Sequence, residues 1–472
     1  MTALAAGNKK VAFKWVWIAV AAVIIIAGMV TPEWEGLSQA GKMGILVMLS
    51  SIILWATEAL PLAATALGMM ALSPFLGVLD ASTTWATMLN SSMVLFIGVF
   101  AFTTFLGEAT FPQRLIAVIL KITKGNTSLV ILGFMIIGAI ISTVMSNIAL
   151  TAVLCGIAMP LLESNGDKAG ESRFGRCLMI AIPFGVMLGG CLLPSGTPIN
   201  VLALGLVEAN YGVSVTFVQW FLVTIIPVVI MLVGSWFLLV KIYKPEPISK
   251  EAVDEAIARA AKMPPMEKKE IFNIGVIVVT LVLWIASSWL PFLNTSCIAL
   301  LALAAMFLPG LSMITIHDYR TKSPWEILLM MMAVNALVAG ISKNGGSDWI
   351  VSTLLAPLTG MPYIGIIILC SIILAALHNV IPAGPAVAGL VTLPFVSLAA
   401  AVDGNISAML FVVTIWSALA FIVPLDSVLL VSYANGFYKF NELWKGGLPV
   451  TVLCLVVACV LLPIICPLMG LA

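Results

Sequence analysis

The chain has 472 residues, 62% of them hydrophobic and only 9% charged, with a mean hydropathy of +1.16. A soluble domain carries roughly 25% charged residues, so no soluble fold could hide this much apolar surface. The formal net charge of +1 gives no sign of a nucleic-acid partner, and the lipid bilayer is left as the solvent.

Apolar runs of about 20 residues cross the ~30 Å hydrocarbon core as helices. In chain order, Lys9, Lys10 and Lys14 precede an apolar run from Trp15 to Val30. No small-x-small cleavage site follows it, so the run reads as an uncleaved first span with the N-terminus in the cytoplasm. Further spans are predicted near 43–60, 62–79, 91–107, 177–207 and 215–241, with 129–163 as a re-entrant hairpin. A polar stretch at 241–270, containing the helix-like KEAVDEAIARAAK, is a cytoplasmic linker near the midpoint. Beyond it come spans near 271–291, 295–309, 326–342, 406–436 and 447–471, with a second hairpin near 362–400. The expected architecture is thus an all-α polytopic protein of the inner (plasma) membrane, with about 11 transmembrane helices and two re-entrant hairpins. An N-terminal segment (1–42), a first repeat (43–240), the linker (241–270) and a second repeat (271–472) make up the chain. Six crossings before the linker and five after it put the C-terminus outside and make the repeats inverted.

The duplication is legible in the order of features. SPFLGVLD from Ser73 is followed by an apolar span, GEATFPQRLIAVIL, and an apolar stretch broken at Ser146-Asn147. LPGLSMITIHD from Leu308 is followed by an apolar span, KNGGSDWIVSTLL, and an apolar stretch broken at His378-Asn379. Asn147 to Thr197 is 50 positions and Asn379 to Ser427 is 48. Duplicated halves of this kind are a signature of secondary transporters, whose sites lie near the bilayer midplane between the repeats.

Backbone that leaves the helix at membrane depth must line a cavity or be buried in protein. Four interruptions meet that description: STVMSNIA from Ser142, PSGTPIN from Pro194, HNVIPAGP from His378 and PLDS from Pro424. A single such break reads equally as a kink or an interhelical hydrogen bond; four paired breaks in a repeat point to a site. Freed hydroxyls, amides and carbonyls there suit sodium, and half-helix N-termini turn their positive ends toward an anion.

WATEALPLAATAL from Trp55, MSNIALTA from Met145, GGCLLPSGTPINVLALG from Gly189 and FYKFNELWKGGLP from Phe437 resemble the divalent anion:sodium symporters, the dicarboxylate and sulfate symporter family, over nearly the full length. The resemblance implies a homodimer, a scaffold with a moving transport domain, elevator-type exchange, sodium as coupling ion and no organic cofactor. It implies a sodium site at Ser142, Ser146, Asn147 and Gly196. Substrate contacts are implied from Asn147, Ile148, Thr197, Pro198, His378, Asn379, Val380 and Ser427. The second half departs from the family pattern: His378-Asn379-Val380 stands for Ser-Asn-Thr, and Asp426-Ser427-Val428-Leu429 for Ala-Thr-Pro-Pro. Both tip threonines are aliphatic here, Ile148 and Val380, which leaves the substrate open among small carboxylates, sulfonates and sulfate.

The departures add two ionisable groups where a buried charge is costly. His378 and Asp426 are expected to face each other, either as a proton-coupling pair in place of a second sodium or as a mutually satisfied structural pair. A proton-coupled transporter or an anion exchanger on the same scaffold is the alternative function. Glu58 reads as structural, His317 as a surface residue, and Arg114, Lys121 and Lys124 as interfacial anchors. The eight cysteines lie in or beside apolar stretches with no CxxC pair, so they read as small core residues. A membrane-embedded enzyme has nothing to act through: HExxH, GxSxG and a catalytic acidic pair are all absent from the sequence.

Overall fold

A computed structural model describes residues 2–381 and 383–471, with side chains from Val11 onward except at Leu354. The side chains of Lys9 and Lys10, and Pro382 within the third interruption, lie outside what is described. Among the described residues the secondary structure is helical throughout, as hydrocarbon demands, because each helix satisfies its own backbone polar groups.

The first half runs α1 (Thr2–Val30), α2 (Gln39–Ala56), α3 (Leu62–Phe75), α4 (Ala81–Met88), α5 (Ser91–Glu108), α6 (Phe111–Thr123), α7 (Thr127–Ile141), α8 (Asn147–Ser164), α9 (Arg173–Gly190), a 3-10 turn (Pro194–Gly196), α10 (Pro198–Tyr211) and α11 (Phe217–Tyr243). The linker holds α12 (Lys250–Ala261). The second half runs α13 (Lys268–Ala286), α14 (Thr295–Met306), α15 (Ile316–Lys322), α16 (Trp325–Lys343), α17 (Gly346–Trp349) with a π turn (Ile350–Leu354) and a 3-10 turn (Ala356–Leu358), α18 (Tyr363–Val380), α19 (Gly384–Ala401), α20 (Ile406–Ala418), α21 (Ser427–Tyr433) and α22 (Phe440–Leu468). From α2 to α11 and from α13 to α22, the elements correspond one to one in order.

Eleven helices among the described residues are long and apolar enough to cross a membrane. Their membership differs from the spans read off the sequence. α3, α14 and α20 fall short of full crossing length, whereas the arms α8, α18 and α19 reach it. The breaks at 191–197 and 419–426 also divide two predicted spans, 177–207 and 406–436, and the second break is what leaves α20 short. α11, at 27 residues and ~1.5 Å per residue, is about 40 Å long, which exceeds the ~30 Å core and requires tilt.

The helices pack as two bundles, and the packing follows the repeat. α5 lies against α14 as its counterpart α16 lies against α3, within a bundle that includes α1, α2, α4 and α13. The second bundle joins α7, α8, α9, α10 and α11 to α18, α19, α20, α21 and α22. Small residues allow the closest approaches: a Cβ on Gly189 would overlap the backbone of Ala139, and one on Gly447 the carbonyl of Phe421. Between α9 and α22, Arg176 pairs with Glu442 at 2.9 Å with both side chains largely covered.

The polar connections are tied down individually. Glu270, 2% exposed at the start of α13, accepts from the backbone N–H groups of Thr110 (2.8 Å) and Phe111 (3.0 Å), so a linker carboxylate caps the N-terminus of α6. Arg114, read from the sequence as an interfacial anchor, donates to the Pro264 carbonyl across the same junction. α12 packs on both α6 and α8. Buried Lys42 donates to the carbonyls of Thr31 (2.6 Å) and Pro32 (2.8 Å), a cation on the free carbonyls that follow α1. Outside the spans, Lys322 bridges Glu108 and Asp318. Its ammonium, with Thr315, holds the Asp318 carboxyl well below the usual range. His317 is exposed, Glu58 is exposed with a left-handed backbone (φ 48°), and seven of the eight cysteines are buried, Cys297 being exposed.

Candidate functional site

Each hairpin tip meets a broken helix from its own repeat. In the first half, α7 ends at Ser142 and α8 begins after Ser146, while α9 ends before Cys191 and α10 begins after Thr197. Helix C-termini, rich in free carbonyls, therefore lie beside N-termini, rich in free N–H groups. Cations suit the former and anions the latter.

Ser142 Oγ lies 2.7 Å from Asn147 Oδ1 and 2.7 Å from the Val186 carbonyl. Both oxygens accept, and a hydroxyl has one hydrogen, so the fully buried Ser142 Oγ serves only one of them at a time. Asn200, also fully buried, gives its amide hydrogens to the carbonyls of Gly190 and Leu193, both at 2.9 Å, which fixes its orientation and leaves Oδ1 without a partner. Neutral oxygens lacking donors fit a hard monovalent cation. Gly196 belongs here because a Cβ would overlap the Gly190 carbonyl, so the break could not sit against the end of α9 with any larger residue. Ser195 Oγ donates to the Thr143 carbonyl (2.9 Å) and Thr103 Oγ1 accepts from Ser146 N–H (3.1 Å), which fasten the tip to the break and to α5.

The second half is built otherwise. His378 is 1% exposed, and its Nδ1 faces the carbonyls of Trp416 (3.2 Å) and Leu419 (3.3 Å) at the end of α20. Carbonyls only accept, so Nδ1 carries the hydrogen. Nε2 faces Asp426 Oδ2 at 3.5 Å, within ion-pair range but longer than a hydrogen bond. Asp426 Oδ1 caps α21 by accepting from Val428 N–H at 2.8 Å. Asn379 Oδ1 accepts from Ile422 and Val423 N–H, both at 3.1 Å, and its amide donates to Ala375.

Between the two bundles these elements enclose a cavity of about 150 Å³. It brings together Ser146, Asn147, Ile148, Gly196, Thr197, Pro198, His378, Asp426 and Ser427. Ser142 stands behind the tip as a supporting oxygen. Asn379 and Val380 do not line the cavity: the Asn379 side-chain oxygen is spent on the break after α20, and Val380, 70% exposed, turns away from it. Sequence reasoning missed the opposite wall, formed by Phe96, Phe100 and Thr103 of α5, Pro324, and Ile327 and Met330 of α16. The Thr103-Thr104 pair within an apolar run was the available signal.

The profile of the sodium:sulfate symporter transmembrane region matches residues 12–470. The chain belongs to that family. Among relatives, a protein of Caenorhabditis elegans named sodium-dependent high-affinity dicarboxylate transporter 3 is 24% identical over 88% of this chain and 81% of its own length. The sodium-dependent dicarboxylate transporter SdcS of Staphylococcus saprophyticus is 26% identical over 67% of this chain and 65% of its own, so this chain spans just under two thirds of that relative. The fold is shared with the YdaH transporter of Alcanivorax borkumensis (TM-score 0.57, 13% identity, 89% of this chain and 98% of that one). It is shared also with Neisseria gonorrhoeae MtrF, described as illuminating a class of antimetabolite efflux pumps (TM-score 0.55, 16% identity, 94% of this chain and 97% of that one). Membership makes this symporter-family chain a multi-pass membrane transporter and not an enzyme.

Proposed function

We propose that the protein is a sodium-driven symporter of a small anion, a carboxylate, sulfonate or sulfate, held between the two hairpin tips. The observation that carries this reading is the donor-poor oxygen cluster of Ser142, Asn147 and Val186, adjoining the cavity and flanked by the orphaned Asn200 Oδ1. Sodium is cargo here, taken by Ser142, Ser146, Asn147 and the Gly196 break, and its charge favours an anion at the N-termini of α8 and α10. Coupling follows because each charge lowers the cost of burying the other.

The division into two bundles with the cavity between them supports an elevator motion of the hairpin bundle along α3, α5, α14 and α16. In this reading the protein is a homodimer of the plasma membrane, its N-terminus and α12 are cytoplasmic, its C-terminus is outside, and the two repeats are inverted. A second reading, proton coupling, rests on the contact between His378 and Asp426. Uptake into proteoliposomes separates the two: a sodium gradient at equal pH on both sides drives accumulation in the first reading, whereas the second requires a pH gradient.

A further inference from the structure

In the first half the oxygen cluster is open to a cation. Every corresponding feature of the second half is already used. Leu374, fully buried, stands four residues before His378 as Ser142 stands four before Ser146, so the supporting hydroxyl is missing. The freed carbonyls at the end of α20, the counterparts of those at the end of α9, take the Nδ1 hydrogen of His378. The Asn379 carbonyl oxygen is committed to two backbone N–H groups. Asp426 stands at the position of Gly196 and fills it with a carboxylate.

Nδ1 of His378 holds a hydrogen against two acceptors. Nε2 stands 3.5 Å from Asp426 Oδ2, so a carboxylate faces the imidazole within the same half-site. With that carboxylate beside it, the imidazole gives the half-site no net positive charge. The positive end of α21 is offset by the Asp426 carboxylate that caps it, and α19 begins with Gly384 followed by Pro385, which has no N–H. At α8, by contrast, Ser146 makes no side-chain cap, and the N-terminal N–H groups are free of one. Phe96, Phe100, Ile148, Ile327 and Met330 make the remaining walls apolar.

Resting on the symporter reading, we infer that the substrate is a monovalent anion with an apolar body, taken up with sodium at the first-half site alone. A dianion would bring a second charge to a half-site with no cation to meet it, opposite the Asp426 carboxylate. The divalent substrates named for the relatives are therefore the wrong valence for this cavity.

The test is thermal stabilisation of the purified full-length protein by butyrate and butanesulfonate against succinate and sulfate, each in sodium and in choline. The monoanions are expected to stabilise only in sodium, at concentrations about tenfold or more below those needed for the dianions. Asp426→Asn keeps a capping oxygen and removes the carboxylate charge, so the gap between succinate and butyrate should narrow in that variant. Should the variant not fold, the ratio in the natural protein decides alone. Sodium-dependent stabilisation by succinate or sulfate as strong as that by butyrate would overturn the valence inference and leave the symporter reading standing. No sodium-dependent stabilisation by any of the four would overturn both.

Discussion

Ser142 supplies the only hydroxyl hydrogen to two acceptors that lie equally close to it. Its removal leaves Asn147 Oδ1 and the Val186 carbonyl facing an empty space, and a cation loses one oxygen from its shell. Ser142→Ala is expected to weaken sodium binding about tenfold or more, as loss of supporting ligands does at other metal sites. A sodium titration of thermal stability measures it, and an unchanged midpoint would remove sodium from this cluster. At this scale the sequence revealed residue types and register but not direction. The contact of His378 with Asp426 was legible because the repeat spacing aligned them. That Val380 turns outward and Asn379 spends its side-chain oxygen on the break after α20 was not, because one residue of rotation at a helix end decides which side chain meets the cavity. Asn200 fell within a recognised interruption, yet its orphaned Oδ1 becomes apparent only once Gly190 and Leu193 are seen to take its amide hydrogens.

Among the helices, α7 packs closely on α9, where Gly185 and Gly189 lie directly against the backbone of Met135 and Ala139. Gly189→Ala must force these helices apart, and the expected cost is about 1–3 kcal/mol, read as a lower denaturation midpoint in detergent; an unchanged midpoint would show that the contact yields freely. Glu270 offers a second test at the junction of linker and α6. Glu270→Ala leaves two N–H groups without their acceptor in a buried place, at a cost of about 1–3 kcal/mol. If its midpoint matches that of the natural chain, the carboxylate is not holding α6. The long helices were legible through hydropathy because lipid imposes a minimum apolar length. The amphipathic α6 and the short α4 and α15 were not, since helices of 7 to 13 residues leave no run that a span-length window detects.

For the molecule as a whole, the two-bundle division makes the cavity wall a sliding boundary. Ile148 is partly exposed on that boundary. In a Cys297→Ser background, Ile148→Cys is expected to react with a water-soluble thiol reagent, and sodium together with a bound anion should slow the reaction. Equal labelling with and without both would argue that the tip does not border the substrate. The order of elements in the two halves was legible from motif spacing. The division into bundles was not, because α5 pairs with α14 and α16 with α3 across long stretches of intervening chain, and composition carries no record of such distant partners.

The most direct test of the account is uptake of radiolabelled butanesulfonate, which remains ionised and does not leak through lipid as a neutral acid, into proteoliposomes of the natural chain and of Ser142→Ala. The account expects accumulation under an inward sodium gradient, none when choline replaces sodium, and loss of the gradient's effect in the variant. Equal uptake in sodium and in choline, unaffected by Ser142→Ala, would contradict it.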